Sequence, residues 1–161
     1  MLIVYWLLKK YYCWKWKNMK LPIIEYEETM DLLKAQCPGA TRIVLPDTKF
    51  KLPSVALMRE IYDVFWKWHV KLEGLTYISE YDCDNFSLSY YNLIAELRLG
   101  LCVGEIYYSF QQNGKWLGHA VGCFIGEDKK FYMVEPQSEE FNYHIPVNTE
   151  YLDFIKLEGI I

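Results

Sequence analysis

Clustered positive charge, paired cysteines and long apolar runs are all scarce in this chain of 161 residues. No block of five or six lysines and arginines occurs, and the formal net charge is −4. Phosphate backbones are gripped by clustered Lys and Arg, so nucleic acid is not expected as the main partner. The stretch from Lys9 to Lys20, interleaved with Tyr11, Tyr12, Trp14 and Trp16, is the one small exception. The five cysteines (Cys13, Cys37, Cys83, Cys102 and Cys123) are odd in number, irregularly spaced and never in a Cys-x-x-Cys pair. A disulfide framework and a structural zinc site are therefore not expected, and reduced thiols point to a cytoplasmic protein. The apolar start, Met1 to Leu8, stops at Lys9 and is far short of the about 20 residues that span a bilayer. It also lacks the basic start and small-residue cleavage site of a secretory signal. It reads as a buried first strand or helix turn, with membrane-surface contact or a partner surface as the alternatives.

What the chain has is apolar and aromatic residues, 52% and 17% of the total. That is enough to bury a core, and the length suits one domain over residues 1–161. Residues 1–75 read as an aromatic-rich, helical N-terminal part, and residues 78–140 as a second part that holds the chemistry.

Element signals change character midway. Glu25 to Gln36 has acidic residues early, apolar ones later and Cys37-Pro38-Gly39 as a stop, which predicts a short helix. Arg42–Leu45 and Lys49–Leu52 are short extended candidates about the turn at Pro46-Asp47. Ser54 can cap a helix reaching about Leu72, with Leu57, Ile61, Val64, Phe65, Trp68 and Leu72 at spacings of three and four. A second long helix is predicted from Cys83 to about Leu99, capped by Asp82, stopped by Gly100, and apolar along Phe86, Tyr90, Leu93, Ile94 and Leu97. Strands follow at Leu101–Phe110, Trp116–Ile125 and Lys130–Glu135, with hairpin turns at Asn113-Gly114 and Gly126–Lys129. Tyr151 to Leu157 reads as a last strand or short helix. Helices first and an antiparallel meander afterwards make an α+β fold.

Chemistry concentrates at three places. Cys83 opens a helix, whose positive end favours a thiolate. His119 stands on the central strand of the meander, where it could take and return a proton. Glu135, in the apolar run Tyr-Met-Val-Glu-Pro, needs a partner if it is buried. His119 lies nine residues before Asp128 and Glu135 seven after it, so cross-strand adjacency is expected. Thiol, imidazole and carboxylate in these roles form a catalytic Cys83–His119–Glu135 set. The flanking Asp82 and Asp84 would repel a thiolate unless a hard cation such as calcium lay between them. Without one, Asp82 caps the helix and Asp84 favours its first turn. His69 reads as a helix-surface residue, His144 as a late loop residue without a partner, Cys37 as a helix end, and Cys102 and Cys123 as small core hydrophobes.

The runs Asp82-Cys83-Asp84-Asn85-Phe86, Gly118-His119-Ala120 and Glu135-Pro136-Gln137 resemble the papain-like cysteine protease domain of the Marasmius agglutinin C-terminal type, which includes small phage and bacterial proteins. The resemblance covers about residues 78–140. It implies a papain-like or NlpC-like core, a Cys-His-Glu catalytic triad, calcium beside it, and a peptide or protein substrate. One departure is at Tyr77, where papain itself has the glutamine of its oxyanion hole; the backbone N–H of Cys83 would have to serve. The expected function is thus a cysteine hydrolase, peptidase or amidase. Two alternatives remain open: a peptidoglycan amidase or endopeptidase, from the partial match at Tyr81-Asp82-Cys83, and a non-catalytic binding or structural module of a phage particle.

Overall fold

The computed structural model describes residues 2–71, 74–76, 82–146 and 151–159. The chain begins with helix α1 (Leu2–Lys17), where either a first strand or a helix turn was expected. Sixteen residues without glycine or proline, and with Lys15 and Lys17 at the negative end of the helix dipole, favour the helix. Strand β1 (Ile23–Glu25) leads directly into α2 (Tyr26–Gln36), whose first turn holds Glu27 and Glu28. Strands β2 (Arg42–Val44) and β3 (Lys49–Lys51) follow as the sequence suggested, and β3 pairs antiparallel with β1.

Helix α3 (Val55–Val64) starts at Ser54, whose hydroxyl accepts the Leu57 N–H at 3.1 Å. It runs on as a π-helical stretch, Phe65–Val70. The wider turn rotates the side chains that follow, so the buried face continues through Phe65 to Val70, and Trp68 is only half-buried. Helix α4 (Cys83–Glu96) buries Phe86, Tyr90, Leu93 and Ile94, and Leu97 beyond its end, which is the predicted stripe. It stops before Gly100, whose φ of 66° suits glycine.

The meander is present as β4 (Val103–Gln112), β5 (Lys115–Ile125) and β6 (Phe131–Val134), all antiparallel. Asn113 and Gly114, at φ 51° and 74°, form the first hairpin turn. Strand β7 (Tyr143–His144) extends the sheet beyond β6, so His144 lies on an exposed edge strand rather than in a loop. The last strand, β8 (Tyr151–Glu158), does not follow on from β7. It enters between β2 and β4, giving the order β2-β8-β4-β5-β6-β7, and pairs parallel with β2 and antiparallel with β4.

An α+β fold is therefore observed, with two differences from the expectation. The sheet is mixed rather than purely antiparallel, and it draws in a strand from the N-terminal part. Its two faces bury separate cores. One holds Leu57, Ile61, Phe65, Phe86, Tyr90, Ile94, Val103, Phe124 and Val134 beneath α3 and α4. The other holds Leu33, Cys37, Ile106, Val121, Cys123, Met133 and Ile155 beneath α2. Cys102 and Cys123 are buried, as the sequence suggested; Cys37, expected at a helix end, caps α2 and is buried too, and all five cysteines are free. Among the described residues no helix is long and apolar enough to cross a membrane.

Candidate functional site

His119 and Glu135 meet. The β5–β6 register pairs Gly122 with Val134, which sets Glu135 opposite Val121 if the ladder is continued by one pair. The two side chains are thus diagonal neighbours, and His119 Nε2 lies 2.6 Å from Glu135 Oε2. The imidazole is mostly buried, with its edge towards the rings of Tyr108 at 5.6 Å and Phe110 at 6.3 Å. The carboxylate is held at its other oxygen as well: Oε1 accepts the Gln137 N–H at 2.9 Å. Its backbone is fixed too, because the Tyr62 hydroxyl donates to the Glu135 carbonyl at 2.6 Å and to that of Ser138. Tyr62 in turn accepts from the Trp66 indole at 2.8 Å, and burial pushes its hydroxyl well up from its ordinary pKa. With its side chain so clamped, Glu135 can fix the imidazole orientation and balance a charged imidazolium.

Tyr62 and Trp66 were missed at the level of sequence. Their signal is present all the same: a buried tyrosine and tryptophan four apart on a helix need polar partners for their O–H and N–H.

Cys83 occupies the first turn of α4 and is half-buried. Asp82 precedes it as N-cap, its N–H donating to Asn85 Oδ1 at 3.2 Å. Asp82 Oδ1 is shielded and has no hydrogen-bond partner among the described residues. A hydrogen bond shared with Asp84, together with burial and the Asp84 charge, holds the Asp82 carboxyl above the usual range. One ligand atom each from Asp82, Cys83 and Asp84 lies within 4.8 Å of the others. Two oxygens this close suit a hard cation; the thiol is a poor ligand for one.

Tyr107 of β4 lies near Asp84 and Cys83. Its hydroxyl is raised by burial and by the nearby charges of Glu105, Asp84 and Cys83. Tyr107 pairs with Ala120, next to the Tyr108–His119 pair. The start of α4 therefore lies near the β4–β5 pair that carries His119. The pleat, however, turns Tyr107 and Tyr108 to opposite faces, and His119 projects with Tyr108. No hydrogen bond joins Cys83 to His119 among the described residues. Thus the structure unites two of the three predicted residues, and the third stands apart from them at the start of α4. His69 packs on Phe65 at 5.6 Å, in keeping with a structural role. Tyr77 and Tyr81, which figured in the motif comparison, lie outside the described residues. A cavity of about 650 Å³ lies elsewhere, around the far end of α4, and includes Asp47, Lys51, Tyr91, Arg98 and Leu101 in its wall.

Comparison with solved structures finds this architecture in lectin chains. One is PSL1a in complex with E64, with TM-score 0.64 and 17% identity, covering 82% of this chain and 50% of that one. Another is Polyporus squamosus lectin bound to the human-type influenza-binding epitope Neu5Acα2-6Galβ1-4GlcNAc, with TM-score 0.62, 17% identity and coverage of 82% and 48%. No family model and no curated protein matches. The chain spans about half the length of the structures it matches. At this identity the likeness is one of fold. It corrects the resemblance drawn from the motifs: these matched chains are lectins rather than a papain-like protease domain of the Marasmius agglutinin type. The identification as a cysteine hydrolase or thiol protease, and with it the description as an enzyme, is withdrawn on that finding.

Proposed function

We propose that the chain is a ligand-binding domain whose ligand is engaged where His119 and Glu135 meet on the sheet. The observation that carries this reading is the 2.6 Å pairing of His119 with Glu135, clamped by Gln137 and Tyr62 at a half-open position beside buried strands. A hydrogen-bonded carboxylate–imidazole pair held in fixed geometry and still partly open to solvent can present donor and acceptor atoms to a ligand. The thiol at the start of α4 suits a ligand that reacts with or packs on sulfur. The paired carboxylates of Asp82 and Asp84 fit a calcium ion, which would offset their mutual repulsion. Five free thiols accord with a reducing, cytoplasmic setting.

A second reading is favoured by the glycan held in one of the structural neighbours. On that reading the partner is a sialylated carbohydrate rather than a peptide.

Two probes separate the readings. E64 is an epoxide that thiolates open, so treatment of the intact protein followed by peptide mass mapping reports a reactive thiol. The expected result is an adduct at Cys83 that forms faster than any at Cys13. Titration calorimetry with Neu5Acα2-6Galβ1-4GlcNAc, with calcium and with chelator, tests the glycan. Glycan binding without an E64 adduct moves the function to the second reading. If Cys83 reacts no faster than Cys13 and the glycan does not bind, both fail.

A further inference from the structure

Charge is segregated along the chain. The first 24 residues hold five lysines and no acidic residue, leaving twelve basic residues against 21 acidic ones in the remainder. Most of that positive segment is α1, which lies against the body by one face. Trp16 is buried and its indole donates to Glu60 at 3.2 Å; Tyr12 stacks on Trp16 at 4.9 Å; Cys13 packs on the same core. Over residues 10–19 the opposite face is exposed. Trp14 is 69% exposed and Tyr11 54%, with Met19 exposed just beyond the helix. Lys17 and Lys20 flank them, both exposed, and Lys15 is paired with Glu60.

We infer that this outer face of α1 docks on an anionic lipid surface. Tryptophan and tyrosine prefer the headgroup level of a bilayer, where the ring is apolar and the N–H or O–H stays wet. Lysines beside them meet the negative lipid headgroups. The acidic remainder of the molecule would be repelled by the same surface, which orients the protein with α1 inward. A nucleic acid would also take the lysines, yet an exposed indole and phenol beside Met19 suit a lipid headgroup layer better than a phosphate backbone.

Co-sedimentation of the full chain with vesicles tests this. Vesicles of phosphatidylcholine with phosphatidylserine should bring the protein down, and phosphatidylcholine alone should do so far less. Each lysine at an anionic surface strengthens binding about fivefold, so Lys17→Glu with Lys20→Glu should weaken it by more than tenfold. High salt should weaken it as well. Trp14→Ala, at a site that carries no packing load, should reduce binding to both kinds of vesicle. Binding that ignores lipid charge and salt, or no binding to either vesicle, overturns the proposal. So does tight binding to a single-stranded oligonucleotide in place of vesicles, or a dimer in sedimentation velocity that Trp14→Ala dissolves.

Discussion

Burial divides the five thiols into two chemical groups. It pushes Cys37 and Cys102 up to about 12, and Cys123 well above its ordinary value with Cys102 and Cys37 close by. At pH 8 such a thiol is ionised in only about one molecule in 10⁴. Cys13 and Cys83 are half-buried. Brief iodoacetamide treatment of the native protein at pH 8 should therefore label Cys13 and Cys83 and spare the other three, with all five labelled in denaturant. Mass mapping reads the result, and labelling of Cys102 in the native protein would contradict the core described here. At this scale much of the site was legible. A carboxylate inside Tyr-Met-Val-Glu-Pro asks for a partner, and the hairpin at Asp128 supplied His119. What could not be read was the face on which each side chain lies relative to α4, because a pleat reverses direction at every residue and the start of a helix can approach either side.

Close contacts between elements fall on glycines of the two central strands. A Cβ on Gly104 would stand 1.7 Å from the Lys156 carbonyl oxygen of β8, a backbone atom held by its own ladder. A Cβ on Gly122 would meet the Tyr90 ring at 2.7 Å, and a side chain can yield more readily than a strand. Gly122→Ala should cost about 1–3 kcal/mol, as overpacked cores do, and Gly104→Ala distinctly more. Urea denaturation of the two variants gives the comparison; equal losses would mean that β8 shifts as easily as a ring. Helices α2, α3 and α4 and strands β4 to β6 were legible because caps, stops and local hairpins encode them within short windows. Helix α1 was not, since its lysines and aromatics recur without a clear period, and neither was the π-helical extension of α3. The place of β8 was beyond local reading altogether, for its partners lie in segments remote from it in sequence.

The molecule as a whole is organised about one six-stranded sheet covered on both faces, with β8 among its interior strands. Leu152, Ile155 and Leu157 of that strand are buried among residues from α2, β3, β4 and β5. Thr41 donates its backbone N–H to the Leu152 carbonyl at 3.1 Å, so the strand also secures the segment leading into β2. A chain truncated after residue 146 should lose the cooperative unfolding transition entirely, rather than fold with a frayed edge; circular dichroism through a thermal ramp distinguishes the two. Pairings this distant in sequence also slow folding, since a long loop must close before they are rewarded. The same feature bears on birth as well as on stability. A ribosome making this protein releases α1 through β7 before the strand that joins β2 to β4, so the aromatic segments of both cores emerge with no sheet complete enough to cover them. For that interval the nascent chain depends on its surroundings, on chaperones or on whatever surface α1 can find, to remain unaggregated.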